Sequence, residues 1–97
     1  MEKRPTRRFI CEHQVFPNLA PDKIRNMHTA KKPGLTVLYS FSNIDEKCMY
    51  SVLESPDRLT IESFFNDLRI PCDSIMEIEY FAEGFNMRDM RAMKEAA

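Results

Sequence analysis

Apolar and polar positions alternate most cleanly between Leu35 and Ser42, where Leu35, Val37, Tyr39 and Phe41 interleave with Thr36, Leu38, Ser40 and Ser42. A period of two is the mark of a β-strand with one buried face. Polar Asn43 to Glu46 then make a turn, and Lys47 to Glu54 return as a second strand, Met49, Ser51 and Leu53 against Cys48, Tyr50 and Val52. So short a polar connection predicts an antiparallel hairpin. Upstream, Arg8 to Phe16 places Phe9, Cys11, His13 and Val15 on one side and Ile10, Glu12, Gln14 and Phe16 on the other. Its β-branched and aromatic content reads as a strand closed by Pro17-Asn18.

Two stretches change period. Pro21 opens a helix at the position where a missing amide costs nothing, and Asp22 adds charge favoured by the helix dipole. Ile24, Met27 and His28 form a narrow stripe, and Lys31-Lys32 with Pro33-Gly34 close the helix. Ser55-Pro56-Asp57 starts a second one, with Ser55 as the expected N-cap. Its apolar face is Leu59, Ile61, Phe64, Phe65 and Leu68, running through Arg69 to the stop at Pro71. Ile75 to Phe81 reads as a last strand. Beyond it, Asn86 with Asp89 looks like a helix cap, and Met87, Met90 and Met93 fall at helical spacing with Phe85. A short C-terminal helix is expected there.

The expected class is therefore α+β, a ferredoxin-like β-α-β-β-α-β domain. It would hold a four-stranded antiparallel sheet with two helices on one face, over residues 1-81, followed by a helical extension over 82-97. The uncovered face keeps aliphatic and aromatic residues, so a homodimer of the dimeric α/β-barrel type, joined through those faces, is expected.

Composition narrows the functional classes. Fourteen basic against fifteen acidic residues, net −1, give no field to hold a phosphate backbone or an anionic membrane. Two glycines leave no phosphate-cradling loop. No apolar run approaches the roughly 20 residues of a membrane span, and MEKRPTRR is not a signal peptide. Nucleic acid and membrane partners are thus not expected. Cys11, Cys48 and Cys72 are odd in number and widely spaced, as suits reduced thiols in a cytoplasmic protein.

Several short motifs carry a resemblance. They are Glu12 with Phe16-Pro17, Gly34-Leu35, Tyr39-Ser40-Phe41, Glu54-Ser55-Pro56 and Ile70-Pro71-Cys72-Asp73-Ser74-Ile75. From Phe9 to Tyr80 the chain resembles a family of small ferredoxin-like α/β proteins, a domain of unknown function with a nickel-binding member. The resemblance implies the same fold and a divalent metal such as nickel. A cysteine common in the family's third strand is Ser51 here, and a histidine common in its second helix is Phe64. Each replacement removes a ligand type that nickel favours.

The chemical candidates are few. Glu12, His13 and Glu54, with Ser51 nearby, could hold a divalent ion or move a proton if the first and third strands are neighbours. The plainer reading has Glu12 and Glu54 as inter-strand polar partners and His13 as a solvated edge residue, and it is preferred. Tyr39, Tyr50 and Ser51 are the candidate ligand-binding residues, and Tyr80 is a further aromatic of the same kind. His28 is expected to be packed and hydrogen-bonded. No serine, cysteine and histidine pattern signals nucleophilic catalysis. Two readings follow: a ligand- or metal-binding homodimer, or a cofactor-independent enzyme using His13 or His28 as proton carrier on a small hydrophobic ligand.

Overall fold

A computed structural model describes residues 5–14, 21–43 and 45–91. Along them run β1 (Arg7–Gln14), α1 (Pro21–Thr29), β2 (Thr36–Asn43), β3 (Cys48–Ser55), α2 (Arg58–Leu68), β4 (Ser74–Glu77), β5 (Tyr80–Glu83) and β6 (Asn86–Asp89). The fold is α+β, as expected. β1 to β4 form a four-stranded sheet in the order β2-β3-β1-β4, every neighbouring pair antiparallel.

Pairing fixes which residues share a face. On one side Phe9 pairs with Leu53, Cys11 with Ser51 and His13 with Met49. Here the core forms: Phe9, Cys11, Met49 and Leu53 bury against Met27 of α1 and Ile61, Phe64 and Phe65 of α2. Both helices therefore cover this face. On the other side Arg8 pairs with Glu54, Ile10 with Val52 and Glu12 with Tyr50.

One residue departs from the expected alternation. β2 pairs Val37 with Leu53 and then Tyr39 with Val52, so Leu38 is an extra residue, a β-bulge. Side chains alternate strictly along a strand, so one inserted residue turns everything after it to the opposite face. Leu35 and Val37 pack against the helix-covered core. Tyr39 and Phe41, expected beside them, lie on the open face instead.

Local chemistry explains the remaining boundaries. Pro33 and Gly34 make a turn closed by Leu35 N–H donating to Lys32 O at 3.0 Å. Gly34 has φ 81°, which the second central position of a type II turn requires. The N-cap of α2 is Asp57 rather than Ser55: its carboxylate accepts from Thr60 N–H at 2.8 Å. Ser55 is instead the buried last residue of β3. Arg69 ends α2 in the left-handed conformation, φ 58° and ψ 40°.

Over residues 80–89 the chain does not take the expected C-terminal helix. The last strand stops at Glu77, and residues 80–89 form a hairpin, not a helix, with Tyr80 opposite Asp89 and Glu83 opposite Asn86. Gly84, at φ 60°, takes the first place of the two-residue loop, where type II′ hairpins favour glycine. The 81/82 boundary thus falls inside β5. Arg91 lies over the Tyr80 ring, 4.6 Å from its centre, and pairs with Asp89 at 3.0 Å. Met90 is buried and its N–H donates to Glu79 O at 2.7 Å. Met93, in the expected stripe, lies outside the described residues, as do Val15 to Asn18.

Candidate functional site

Adjacent strand residues point to opposite faces, and this separates the expected metal ligands. Glu12 lies on the open face, where Tyr50 Oη donates to its Oε2 at 3.3 Å and Cys48 Sγ sits 3.9 Å away. The Tyr50 hydroxyl is pushed up to about 12, first by its hydrogen bond with Cys48 and then by the charge of Glu12. Glu54 is on the same face but pairs with Arg8 at 3.8 Å. His13 is fully buried on the helix side. Among the described residues, no three His, Cys, Asp or Glu side chains converge to hold a metal ion. Glu12 and Glu54 act as inter-strand polar partners, while His13 is a core residue rather than a solvated one.

Of the grouped residues, His13 and Ser51 do come together. Pro71 O is 2.9 Å from His13 Nδ1, and a carbonyl can only accept, so Nδ1 carries the proton. Nε2 is then an acceptor, and Ser51 Oγ donates to it at 2.6 Å. Burial pulls the imidazole below its ordinary 6.5, so the ring is held neutral. The Phe65 ring meets the imidazole edge-on at 4.6 Å between centres. Hydroxyl, base and orienting carbonyl are arranged as in an activated nucleophile. Both side chains are nevertheless fully enclosed.

The tyrosines divide from Ser51. Tyr39 and Tyr50 lie on the open face, where Tyr50 stacks on Phe41 at 5.6 Å, while Ser51 belongs to the covered face. His28 is hydrogen-bonded, as expected, through Nε2 to Ser40 Oγ at 2.8 Å.

Beside His13 lies a feature that no spacing in the chain signals. The segment 70–73 returns along β1: Asp73 N–H donates to Glu12 O at 2.8 Å and Gln14 N–H to Asp73 Oδ2 at 2.6 Å. This packs Cys72 against the core cluster that includes Cys11, with Cys72 Sγ donating to Ser74 O at 3.5 Å. The neighbouring Cys72 thiol and burial push Cys11 up, and Cys72 is drawn below its ordinary 9.0 by its Cys11 neighbour. Cys11 is enclosed and Cys72 partly exposed, and both are free thiols. Cys72 lines an open cleft of about 560 Å³ with Leu59, Glu62, Phe65, Asn66 and Pro71.

No helix of the described residues is long and apolar enough to cross a membrane. No protein-family model, curated protein or solved structure matches the chain.

Proposed function

We propose that the chain is a small ligand-binding module that works as a homodimer, with a ferredoxin-like β-α-β-β-α-β core joined to its copy sheet face to sheet face. One observation carries this reading. On the open face Tyr39, Phe41 and Met76 are 43%, 54% and 59% exposed around Val52, which is only 3% exposed. The sheet order β2-β3-β1-β4, with both helices packed on the opposite side, supports the ferredoxin-like arrangement.

A second copy suits this face better than a charged partner. Its centre is apolar (Ile10, Tyr39, Phe41, Val52 and Met76), and Arg8 and Glu54 already neutralise one another. A two-fold axis can therefore lay the apolar centre of the patch on itself.

The ligand side of the reading rests on the cleft beside α2, where apolar walls (Leu59, Phe65, Ile70, Pro71) meet a few polar groups (Glu62, Ser63, Asn66). Reduced thiols suit a cytoplasmic setting. A catalytic role for the Ser51–His13 pair would require Phe65 to move, since the pair is enclosed and Phe65 lies between the imidazole and the cleft.

Sedimentation equilibrium at micromolar concentration tests the proposal. A dimer is expected, and Phe41→Glu should convert it to a folded monomer by setting a carboxylate against its copy. A well-folded wild-type monomer at these concentrations would overturn it.

A further inference from the structure

We propose that the two-fold axis of the homodimer runs along an apolar row across the open sheet face, so that Glu12 of each copy meets Arg8 of the other. The inference deepens the homodimer reading and rests on it.

Register places the groups. Tyr39 pairs with Val52, Val52 with Ile10 and Ile10 with Met76, so one row of the open face, crossing all four strands, is wholly apolar. On one side of it lie Phe41, Tyr50, Glu12 and Ser74, and on the other Thr36, Glu54 and Arg8. Arg8 and Glu12 thus stand two residues to either side of Ile10 on one strand, roughly 7 Å from it at about 3.3 Å per residue. An axis lying along the apolar row, between the two sheets, keeps that row opposite its own copy and exchanges its flanks. Arg8 then faces Glu12 of the second copy, and Glu54 faces its uncharged Tyr50. Sheets pack about 10 Å apart, a gap that an arginine and a glutamate side chain span together.

Charge selects this arrangement. Within its own chain Glu12 accepts from neutral groups, Tyr50 Oη at 3.3 Å and Cys48 Sγ at 3.9 Å. Among the described residues no cation pairs with it. Arg8 has donors to spare: its contact with Glu54 is 3.8 Å, beyond hydrogen-bond length, and its Nε has no acceptor among the described residues. An axis along the strands, between β1 and β3, lays Ile10 against Val52 and is also apolar at its centre. It leaves both Glu12 carboxylates at one end of the interface without a cation, and burying an unpaired charge is costly. An axis along β1 itself sets Arg8 on Arg8 and Glu12 on Glu12. Of the three, the first alone gives each covered Glu12 a cation.

Sedimentation equilibrium of Glu12→Gln, which keeps the side-chain shape, tests this. Loss of the pair between copies should raise the dimer dissociation constant about tenfold. Glu54→Gln removes only the contact within one chain and should leave the constant within about threefold of wild type. In the Glu54→Gln background, Glu12→Arg should dissociate the dimer, and Arg8→Glu added to it should restore it, with circular dichroism showing the fold kept in each variant. A wild-type dimer that Glu12→Gln leaves unchanged or tightens would overturn the arrangement and leave the dimer standing. Tightening is what the axis along the strands requires, because there the change removes an unpaired carboxylate. Failure of Arg8→Glu to restore the charge-exchanged dimer would overturn the pairing as well. A wild-type monomer would remove both the pairing and the dimer.

Discussion

The two faces of the sheet carry similar amounts of apolar side chain and use them differently. On the helix side, Phe9, Cys11, Met49 and Leu53 disappear beneath Met27, Ile61, Phe64 and Phe65, and the two polar groups placed among them, His13 and Ser51, satisfy one another and Pro71. On the open side, Ile10, Val52, Tyr39, Phe41 and Met76 lie among Glu12, Tyr50, Cys48, Arg8 and Glu54, with the aromatics left half in water. The covered face thus holds the fold together, since its side chains lose water within one chain. The open face contributes less to the folded monomer and has surface left to bury against a partner. The bulge at Leu38 is what assigns Tyr39 and Phe41 to the second group.

Truncating one aromatic on each face gives the largest contrast. Phe65→Ala removes a ring packed against both His13 and Phe64 and should cost about 3–5 kcal/mol in urea denaturation. Phe41→Ala, on the half-exposed ring, should cost under about 1 kcal/mol when both are measured at concentrations too low for association. Equal losses would mean that the open face is as much a core as the other.

This division was partly legible in the residues themselves. The hairpin of β2 and β3 declares itself through its alternation and polar turn, and the helices through Ile24 with Met27 and Ile61 with Phe64, Phe65 and Leu68. The bulge does not, because Leu38 sits in a run where apolar residues occupy both phases and nothing marks the step. The strand rule already sends Glu12 and His13 to opposite faces, so the separation of the metal trio was available from β1 alone. The 80–89 hairpin was masked by Met87 and Met90, whose spacing imitates a helix. The glycine between two four-residue runs, Gly84, was the competing signal. The packing of Cys72 onto the core depends on how 70–73 folds back along β1, and no local pattern encodes that.

The buried polar pair offers a chemical way to sharpen the contrast. Ser51→Ala leaves His13 Nε2 without its donor in the core and should cost about 1–3 kcal/mol at neutral pH. The pH dependence has a definite sign. His13 titrates below 6.5 when folded because burial disfavours its charged form, so the unfolded chain binds the proton more readily. Its contribution is present above pH 6.5 and is lost as the pH falls toward the folded pKa. Denaturation midpoints should therefore decline from pH 7 to pH 5, and the part due to this residue should vanish in His13→Gln. A flat profile in the wild type would show that the imidazole is not buried neutral.

The smallest effect expected tests whether the covered face depends on one strained residue. Arg69 holds a left-handed conformation to end α2, with Arg69 N–H donating to Asn66 O at 3.1 Å and Ile70 N–H to Phe65 O at 2.9 Å. That closure aims the chain at Pro71, whose carbonyl orients His13, and at Cys72. A side chain in this conformation costs about 1–2 kcal/mol, and glycine gives back part of that difference through the freedom it loses on folding. Arg69→Gly should raise stability by roughly 0.5–1 kcal/mol, leaving the His13 pH dependence unchanged. If stability falls, the arginine side chain itself contributes more than its backbone strain costs. If stability rises but the pH dependence shifts, the position of Pro71 depends on that strain, and the covered face is less rigid than its packing implies.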